Sequence, residues 1–168
     1  MPPALAIIGV GSNLEPRRHV PAALEALLQT HGMLHLSSVV ETAPVGMTDG
    51  SGTFWNLAVA VPTDSRPGPL QAALHALERA AGRDREAPGQ SWKARPLDLD
   101  LLMLLDDGAP QAAGLPDEPW IRPLVAELLN HLDISCPTSS APPAGGITLR
   151  IAGQAVGPGP VSLTQDLP

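Results

Sequence analysis

Two aspartates stand two residues apart in the run 95–101, Arg-Pro-Leu-Asp-Leu-Asp-Leu. Because a β-strand turns successive side chains to opposite faces, Asp98 and Asp100 are predicted to share one face and the intervening leucines the other. Their Cα atoms would lie roughly 7 Å apart. Their carboxylate oxygens could then converge on one or two hard cations such as Mg²⁺. The alternative is a solvated strand face that binds nothing.

Four of the ten basic residues lie just before this pair, at Arg83, Arg85, Lys93 and Arg95. Carboxylates that hold a metal beside cations that hold phosphates are what a Mg²⁺–nucleotide complex requires. A P-loop is excluded because the only lysine stands between Trp and Ala, with no Gly-Lys-Ser/Thr. Arginines, whose planar fork binds two oxygens at once, would therefore hold the phosphates. The alternative for residues 83–86 is a solvated, self-neutralising loop.

An aromatic residue and a carboxamide are predicted to share a face of another strand. Phe54 and Asn56 alternate with Trp55, and such a pair can stack on a flat heterocycle and read its hydrogen-bonding edge. A core Phe and a backbone-bonding Asn are the alternative. Trp92, in a polar loop, either caps the edge of the core or covers a base or ribose.

A glycine-containing turn, Gly11-Ser12-Asn13, follows the first apolar run. The run 9–14 lacks the third glycine of a dinucleotide fingerprint, since Leu14 holds that place. We therefore interpret it as a tight strand-to-helix turn in which Ser12 or Asn13 satisfies free backbone groups.

The elements that position these residues follow from hydrophobic periodicity. Strands are predicted at 4–10, 33–42, 54–61 and 95–105, and helices at 16–30 and 68–81. The order β-α-β-β-α-β predicts an α+β, ferredoxin-like core, with an antiparallel sheet and the helices on one face. We expect a domain over 1–136, with a short helix at 125–132. Residues 137–168 are expected to be a Pro/Gly-rich extension with at most one short strand, at 147–151.

Composition narrows the partners and the compartment. The net charge of −7 argues against nucleic acid as a partner. A single cysteine, Cys136, favours a reducing, cytoplasmic location. The first residues lack the basic region of a signal peptide, and no apolar run approaches the length of a membrane span, so no membrane partner is expected.

Five segments together resemble the 6-hydroxymethyl-7,8-dihydropterin pyrophosphokinase family, in the order that the family has them. The matching segments are 11–14 (Gly-Ser-Asn-Leu), 41–46 (Glu-Thr-Ala-Pro-Val-Gly), 54–56 (Phe-Trp-Asn), 77–85 (with Leu-Glu and Gly-Arg-Asp-Arg) and 92–100 (Trp-Lys-Ala-Arg-Pro-Leu-Asp-Leu-Asp). The last is the most specific. The resemblance covers about residues 5–105 and implies the ferredoxin-like fold.

The resemblance implies transfer of diphosphate from ATP to the hydroxymethyl group of the pterin, in folate biosynthesis, with AMP released. The partners would be these small molecules, and the protein would be a monomer or weak homodimer. Asp98 and Asp100 would hold two Mg²⁺ ions and act in catalysis with Arg83 and Arg95. The pterin would contact Thr42, Pro44, Val45, Phe54 and Asn56. The nucleotide would contact His75, Glu78, Arg85, Trp92 and Arg95, partly from a loop that closes over it.

The chain departs from the family's pattern after the aspartate strand. Family members usually carry a Pro-His segment there, followed by an Arg and a Phe. Here the altered segment is 106–124. Its residues 106–121, which we call the acidic segment, contain four acidic residues and no His, Lys or Arg, and Arg122 follows as a residue that could substitute for the family's arginine. Trp120 would replace the Phe. Two alternatives therefore remain: a catalytically weak or inactive paralogue that binds a pterin or nucleotide, and a related kinase acting on another alcohol.

Overall fold

A computed structural model of the chain describes residues 4–42, 52–84, 86, 95–106, 115–135 and 146–165. The strands are β1 (Ala4–Ser12), β2 (Met33–Leu36), β3 (Val40–Thr42), β4 (Phe54–Thr63), β5 (Asp98–Leu105), β6 (Leu149–Ile151), β7 (Gln154–Val156) and β8 (Val161–Thr164). The helices are α1 (Pro16–His31), α2 (Pro67–Ala80) and α3 (Arg122–His131). No helix within the described ranges is long and apolar enough to cross a membrane.

One antiparallel sheet organises the molecule, in the order β5-β1-β4-β2-β8, and β3 also pairs with β4. The predicted ferredoxin-like, α+β core is confirmed. Helices α1 and α2 cover one face through apolar residues at helical spacing, such as Leu24, Leu28, Leu70 and Leu74. These helix residues pack against Leu99 and the other strand residues whose side chains point to that face by alternation.

The opposite face is covered in part by α3, which the sequence predicted only over 125–132. Leu124 and Leu128 of this helix pack with Ala58 and Ala60 of β4. The small alanine side chains let the helix approach the sheet closely. Phe54, Asn56, Asp98 and Asp100 lie on this same face, towards the end of the sheet where β1 ends and β5 begins.

The single strand predicted over 33–42 is broken by Ser37 and Ser38, whose polar groups bond outside a regular ladder. Ser37 Oγ accepts a bond from the Ala58 amide at 2.8 Å. The amide and hydroxyl of Ser38 donate to the Glu127 carboxylate at 2.5 and 3.0 Å. The break produces β3 as a separate strand that pairs with β4 near Phe54.

The C-terminal part is more ordered than the sequence predicted. The one strand expected at 147–151 is present as β6, but it forms a hairpin with β7, and β8 adds an edge to the main sheet. The expectation that the remainder would be loop was wrong here. Leu163 lies in the core on the side of α1 and α2, and this burial stabilises an alternating strand despite its Pro- and Gly-rich surroundings. The domain boundary at 136 stays a prediction.

Candidate functional site

The site is built on a row of three residues that face each other across adjacent strands. Gly11 of β1 pairs with Asn56 of β4 on one side and with Asp98 of β5 on the other. Neighbouring strands are about 4.8 Å apart, so the Cα atoms of Asn56 and Asp98 are separated by about 10 Å. A Cβ at Gly11 would lie 3.1 Å from Asn56 Oδ1 and 3.9 Å from both Asp98 Cβ and Phe54 Cδ1. Because Gly11 has no side chain, its backbone forms a floor between the side chains of Asn56 and Asp98.

An aromatic and amide pair stands on the β4 side of this floor, as the sequence predicted. Phe54 pairs with Thr42 in register, and Asn56 Nδ2 donates to Thr42 Oγ1 at 2.7 Å. Asn56 is buried and Phe54 is half-buried. This bond to Thr42 Oγ1 fixes the carboxamide plane and orients Oδ1 towards Gly11. A flat ring that stacks on Phe54 would meet this fixed edge.

A carboxylate that holds two arginines stands on the β5 side. Asp98 Oδ1 accepts from Arg83 Nη1 at 2.5 Å, and Oδ2 accepts from Arg95 Nη1 at 3.2 Å. The side chain of Arg83 is 5% exposed, whereas those of Asp98 and Arg95 are 19% and 22% exposed. The half-buried position strengthens the ion pairs relative to surface pairs, and it leaves Asp98 and Arg95 within reach of a ligand.

Glu78 holds Arg83 from the buried side. Its carboxylate, 1% exposed, accepts from Arg83 Nη1 at 2.7 Å. Helix α2 ends at Ala80, Gly82 takes a left-handed φ of 96°, and the Arg83 amide then returns to the Glu78 carbonyl at 3.0 Å. This turn places residues 78 and 83 side by side. His75 is one turn earlier in α2, and its Nε2 lies 3.8 Å from Glu78 Oε1.

A second contact brings the turn after β1 against the start of β5. The Asn13 amide donates to the Arg95 carbonyl at 3.0 Å, and the Arg95 amide donates to Asn13 Oδ1 at 2.6 Å. Ser12 Oγ donates to the Leu14 carbonyl at 3.3 Å within the same turn. The predicted tight turn is therefore confirmed. The predicted strand start at Arg95 was wrong, because β5 begins at Asp98 and Arg95 bonds to this turn instead.

The carboxylates of this site fit a magnesium ion by their chemistry. Asp98 and Asp100 share a face of β5, and Asp100 lies exposed opposite Gly9. No group of three or more His, Cys, Asp or Glu residues that could hold a metal occurs in the described ranges. Mg²⁺ needs only one or two carboxylates when phosphates and waters complete its shell. Each Asp98 oxygen has two lone pairs, so it can accept from an arginine and still bind a metal.

The structure brings together nine of the thirteen predicted residues and does not describe the other four. Around the row and on its buried side lie Thr42, Phe54, Asn56, His75, Glu78, Arg83, Arg95 and Asp98, and Asp100 follows on β5. Pro44, Val45, Arg85 and Trp92 lie outside the described residues. Sequence reasoning gave no site role to Gly11 or Asn13. The sequence feature that could have identified them is the Gly-Ser-Asn turn at the end of a buried strand.

Arg122 begins α3 at the end of the acidic segment. Its Nη1 donates to the Pro116 carbonyl at 2.9 Å and lies 3.7 Å from Asp117 Oδ1. Both contacts are with residues of the acidic segment that precedes α3. Trp120 is exposed, at 42% of its surface.

Comparison with known proteins points to one family. A model of the family described as 7,8-dihydro-6-hydroxymethylpterin-pyrophosphokinase matches residues 7–133. A 2-amino-4-hydroxy-6-hydroxymethyldihydropteridine pyrophosphokinase from Porphyromonas gingivalis is 32% identical over 102 residues, which are 60% of this chain and 69% of that protein. The protein of the same name from Bacillus subtilis is 35% identical over 59% of each chain. A mitochondrial folate synthesis bifunctional protein from Pisum sativum is 36% identical over 57% of this chain and 18% of its own.

Proposed function

This chain belongs to the 7,8-dihydro-6-hydroxymethylpterin-pyrophosphokinase family, and we propose that the row Asn56–Gly11–Asp98 is where it transfers diphosphate from ATP. It is an ATP-dependent diphosphotransferase of folate biosynthesis, and its small-molecule substrates are 6-hydroxymethyl-7,8-dihydropterin and ATP. The pterin hydroxymethyl oxygen attacks the β-phosphorus of ATP and loses its proton to water. The bond from that phosphorus to the α-phosphate bridging oxygen breaks, and AMP leaves. The observation that carries the assignment of the site is the 2.5 and 3.2 Å pairing of Asp98 with two arginines.

The β4 side of the floor would recognise the pterin. Phe54 offers a face on which the fused ring can stack. The Asn56 carboxamide, held by Thr42 at 2.7 Å, offers a fixed edge to the ring's own donors and acceptors. We place Pro44 and Val45 beside them on the strength of the family motif alone. In this arrangement the substrate's hydroxymethyl group would extend over Gly11 towards Asp98.

The β5 side would hold the triphosphate. Arg83 and Arg95 stand on both oxygens of Asp98, so their remaining N–H groups are oriented before ATP binds. Such fixed donors stabilise the charge that develops on phosphoryl oxygens without reorganising during the reaction. Glu78 would keep Arg83 in place, and His75, Arg85 and Trp92 are further proposed contacts of the nucleotide.

Asp98 and Asp100 would hold the magnesium, and we propose two ions. When bound, Mg²⁺ supplies positive charge that neutralises the phosphates and favours departure of AMP. The two carboxylates contribute hard oxygen ligands from adjacent positions on one face of β5. The protein's own part is to keep these oxygens beside the two arginines.

The acidic segment favours one alternative, a paralogue that binds its ligands but transfers slowly. It contains no His, Lys or Arg that could contact phosphate. A charge-assisted hydrogen bond contributes about 1.5–3 kcal/mol, so each missing contact would weaken ATP binding by about 10- to 150-fold. Binding of pterin without AMP release would identify this alternative.

AMP release tests the proposal directly. The protein is incubated with Mg²⁺, ATP and 6-hydroxymethyl-7,8-dihydropterin, and AMP is measured with and without the pterin. We expect pterin-dependent AMP, and a fall of about 10²–10³-fold in Asp98→Asn, because fixed charges at a transferring phosphoryl group contribute this much. Asp106→Asn is the matched control, since Asp106 is an exposed aspartate just beyond the other end of β5. Equal losses in both variants would refute the assignment.

We also propose a cytoplasmic location and a monomer or weak homodimer. The single cysteine, Cys136, is what supports a reducing compartment. Sedimentation equilibrium across a concentration series would measure the oligomeric state. A stable tetramer would contradict the proposal.

A further inference from the structure

The turn after β1 binds both the backbone N–H and the backbone carbonyl of a proposed phosphate-binding arginine. Asn13 N donates to Arg95 O at 3.0 Å, and Arg95 N donates to Asn13 Oδ1 at 2.6 Å. We call these two bonds the Asn13–Arg95 clasp. Because both polar backbone atoms of Arg95 bond to one residue, the position and the direction of its Cα–Cβ bond are set by the end of β1.

The clasp lies where the chain needs a fixed point. Arg95 precedes Asp98, the first ladder residue of β5, by three positions. Pro96 has no N–H to donate, so it cannot add a ladder bond. The regular strand therefore begins too late to fix Arg95, and the turn of β1 takes its place.

The clasp is buried, whereas the guanidinium that it positions reaches the site. Asn13 is 8% exposed. The Arg95 side chain, 22% exposed, extends from this backbone to Asp98 Oδ2 at 3.2 Å. A bond shielded from water holds its geometry better than one that competes with solvent. The acceptor atom Oδ1 carries the side-chain half of the clasp. The buried Nδ2 makes no hydrogen bond within the described ranges and adds nothing to it.

We infer that Asn13 is a positioning residue for diphosphate transfer, and that it acts through the guanidinium of Arg95. This inference rests on the proposed function. Asn13 fixes the backbone from which Arg95 reaches both Asp98 and the phosphates. Without the Oδ1 acceptor, the Arg95 amide loses its partner and the guanidinium is no longer aimed before ATP binds.

Three single variants separate the clasp from general damage to the turn. Asn13→Ala removes the acceptor, and we expect kcat to fall about 10- to 100-fold, since a misplacement of about 1 Å can cost this much. Asn13→Asp keeps an oxygen in the same place and should restore most of the rate. Ser12→Ala removes a hydrogen bond of the same turn that does not involve Arg95, and it should change kcat by less than about twofold.

Two readouts distinguish positioning from a merely structural role. The KM for pterin should stay within about twofold in Asn13→Ala, because the pterin residues lie on the other side of β1. In an Arg95→Ala background, adding Asn13→Ala should cost less than about twofold more, since residues that act as one unit are not additive. Amide hydrogen exchange at Arg95 should become faster in Asn13→Ala and stay unchanged in Ser12→Ala.

The outcomes keep this inference apart from the proposed function. If the wild-type protein releases no pterin-dependent AMP, the proposed function fails, and the positioning role for this reaction is overturned with it. If the wild-type protein is active and Asn13→Ala is equally active, only the inference is overturned. Full additivity of Asn13→Ala with Arg95→Ala would also overturn it, because the effect would then not pass through Arg95.

Discussion

Replacing Gly11 by alanine tests whether the site requires the space that a side chain at position 11 would occupy. A Cβ there would lie 3.1 Å from Asn56 Oδ1, tighter than most real contacts of this atom. Asn56 cannot easily yield, because its Nδ2 is bonded to Thr42 at 2.7 Å and its backbone is in the ladder between β1 and β3. The added methyl group would therefore rotate or displace the carboxamide.

The size of the effect follows from the bonds that this carboxamide can make. If the displacement removes one or two hydrogen bonds to the pterin, each contributing about 0.5–1.5 kcal/mol, the loss is about 0.5–3 kcal/mol. That corresponds to an increase in the pterin Kd of about 2- to 150-fold. The free energy of unfolding should change little, because alanine in a strand gains about 0.5–1 kcal/mol over glycine, which offsets the close contact.

Gly9→Ala is the matched control on the same strand and the same face. The three atoms nearest to a Cβ at Gly9 all belong to the Leu102 side chain, and the nearest lies at an ordinary 3.4 Å. Pterin binding would be measured by titration calorimetry, and thermal unfolding would be followed alongside it. Binding by Gly11→Ala within twofold of wild type, or equal weakening in both variants, would refute the reasoning.

Two further predictions concern stability. Arg83→Met should lower the free energy of unfolding in urea by about 3–5 kcal/mol, because it removes the guanidinium 2.7 Å from the buried Glu78 carboxylate. Adding Glu78→Gln to this variant should recover part of the lost stability. Full additivity of the two substitutions would contradict the pairing. Burial, and then the charge of His131, lower the pKa of His35 from 6.5, so the unfolded chain takes up the proton more readily. The free energy of unfolding should therefore fall as pH drops through 6.5 towards the lowered pKa, and it should fall less in His35→Gln. Identical pH dependence of the wild type and His35→Gln would show that His35 does not contribute to it.

The ferredoxin-like core was predictable because its elements differ in hydrophobic period. The strands alternate and the two long helices follow a spacing of three to four residues, so their order and their faces are local properties of the sequence. The break at Ser37 and Ser38 was not predictable, because it depends on Glu127, which is distant in sequence. The bulge in β5 at Leu102, where the register shifts opposite Ile7 and Ile8, likewise depends on a partner strand.

The candidate site was predictable within each strand but not between elements. Alternation alone placed Asp98 with Asp100 and Phe54 with Asn56, since each pair lies within one strand. The contacts between elements were not readable. No local pattern states that Arg95 bonds to the turn at Asn13, or that Gly11 lies between the two pairs. These relations arise from strand order, which brings β1 between β4 and β5.

That strand order also divides the proposed work of the site between its two sides. The side of Asn56 carries an aromatic ring and an amide, whereas the side of Asp98 carries alternating charges, from Glu78 through Arg83 to the aspartate and Arg95. The Cα atoms of Asn56 and Asp98 are about 10 Å apart, with only Gly11 between them, and we propose that the hydroxymethyl group meets the phosphate above this glycine. Because the acidic segment adds no cation, we propose that the positive charge on the phosphates comes from metal, from Arg85 and Lys93, and from these two arginines. In this proposal, the position of Asp98 between Arg83 and Arg95 sets how well the chain transfers diphosphate.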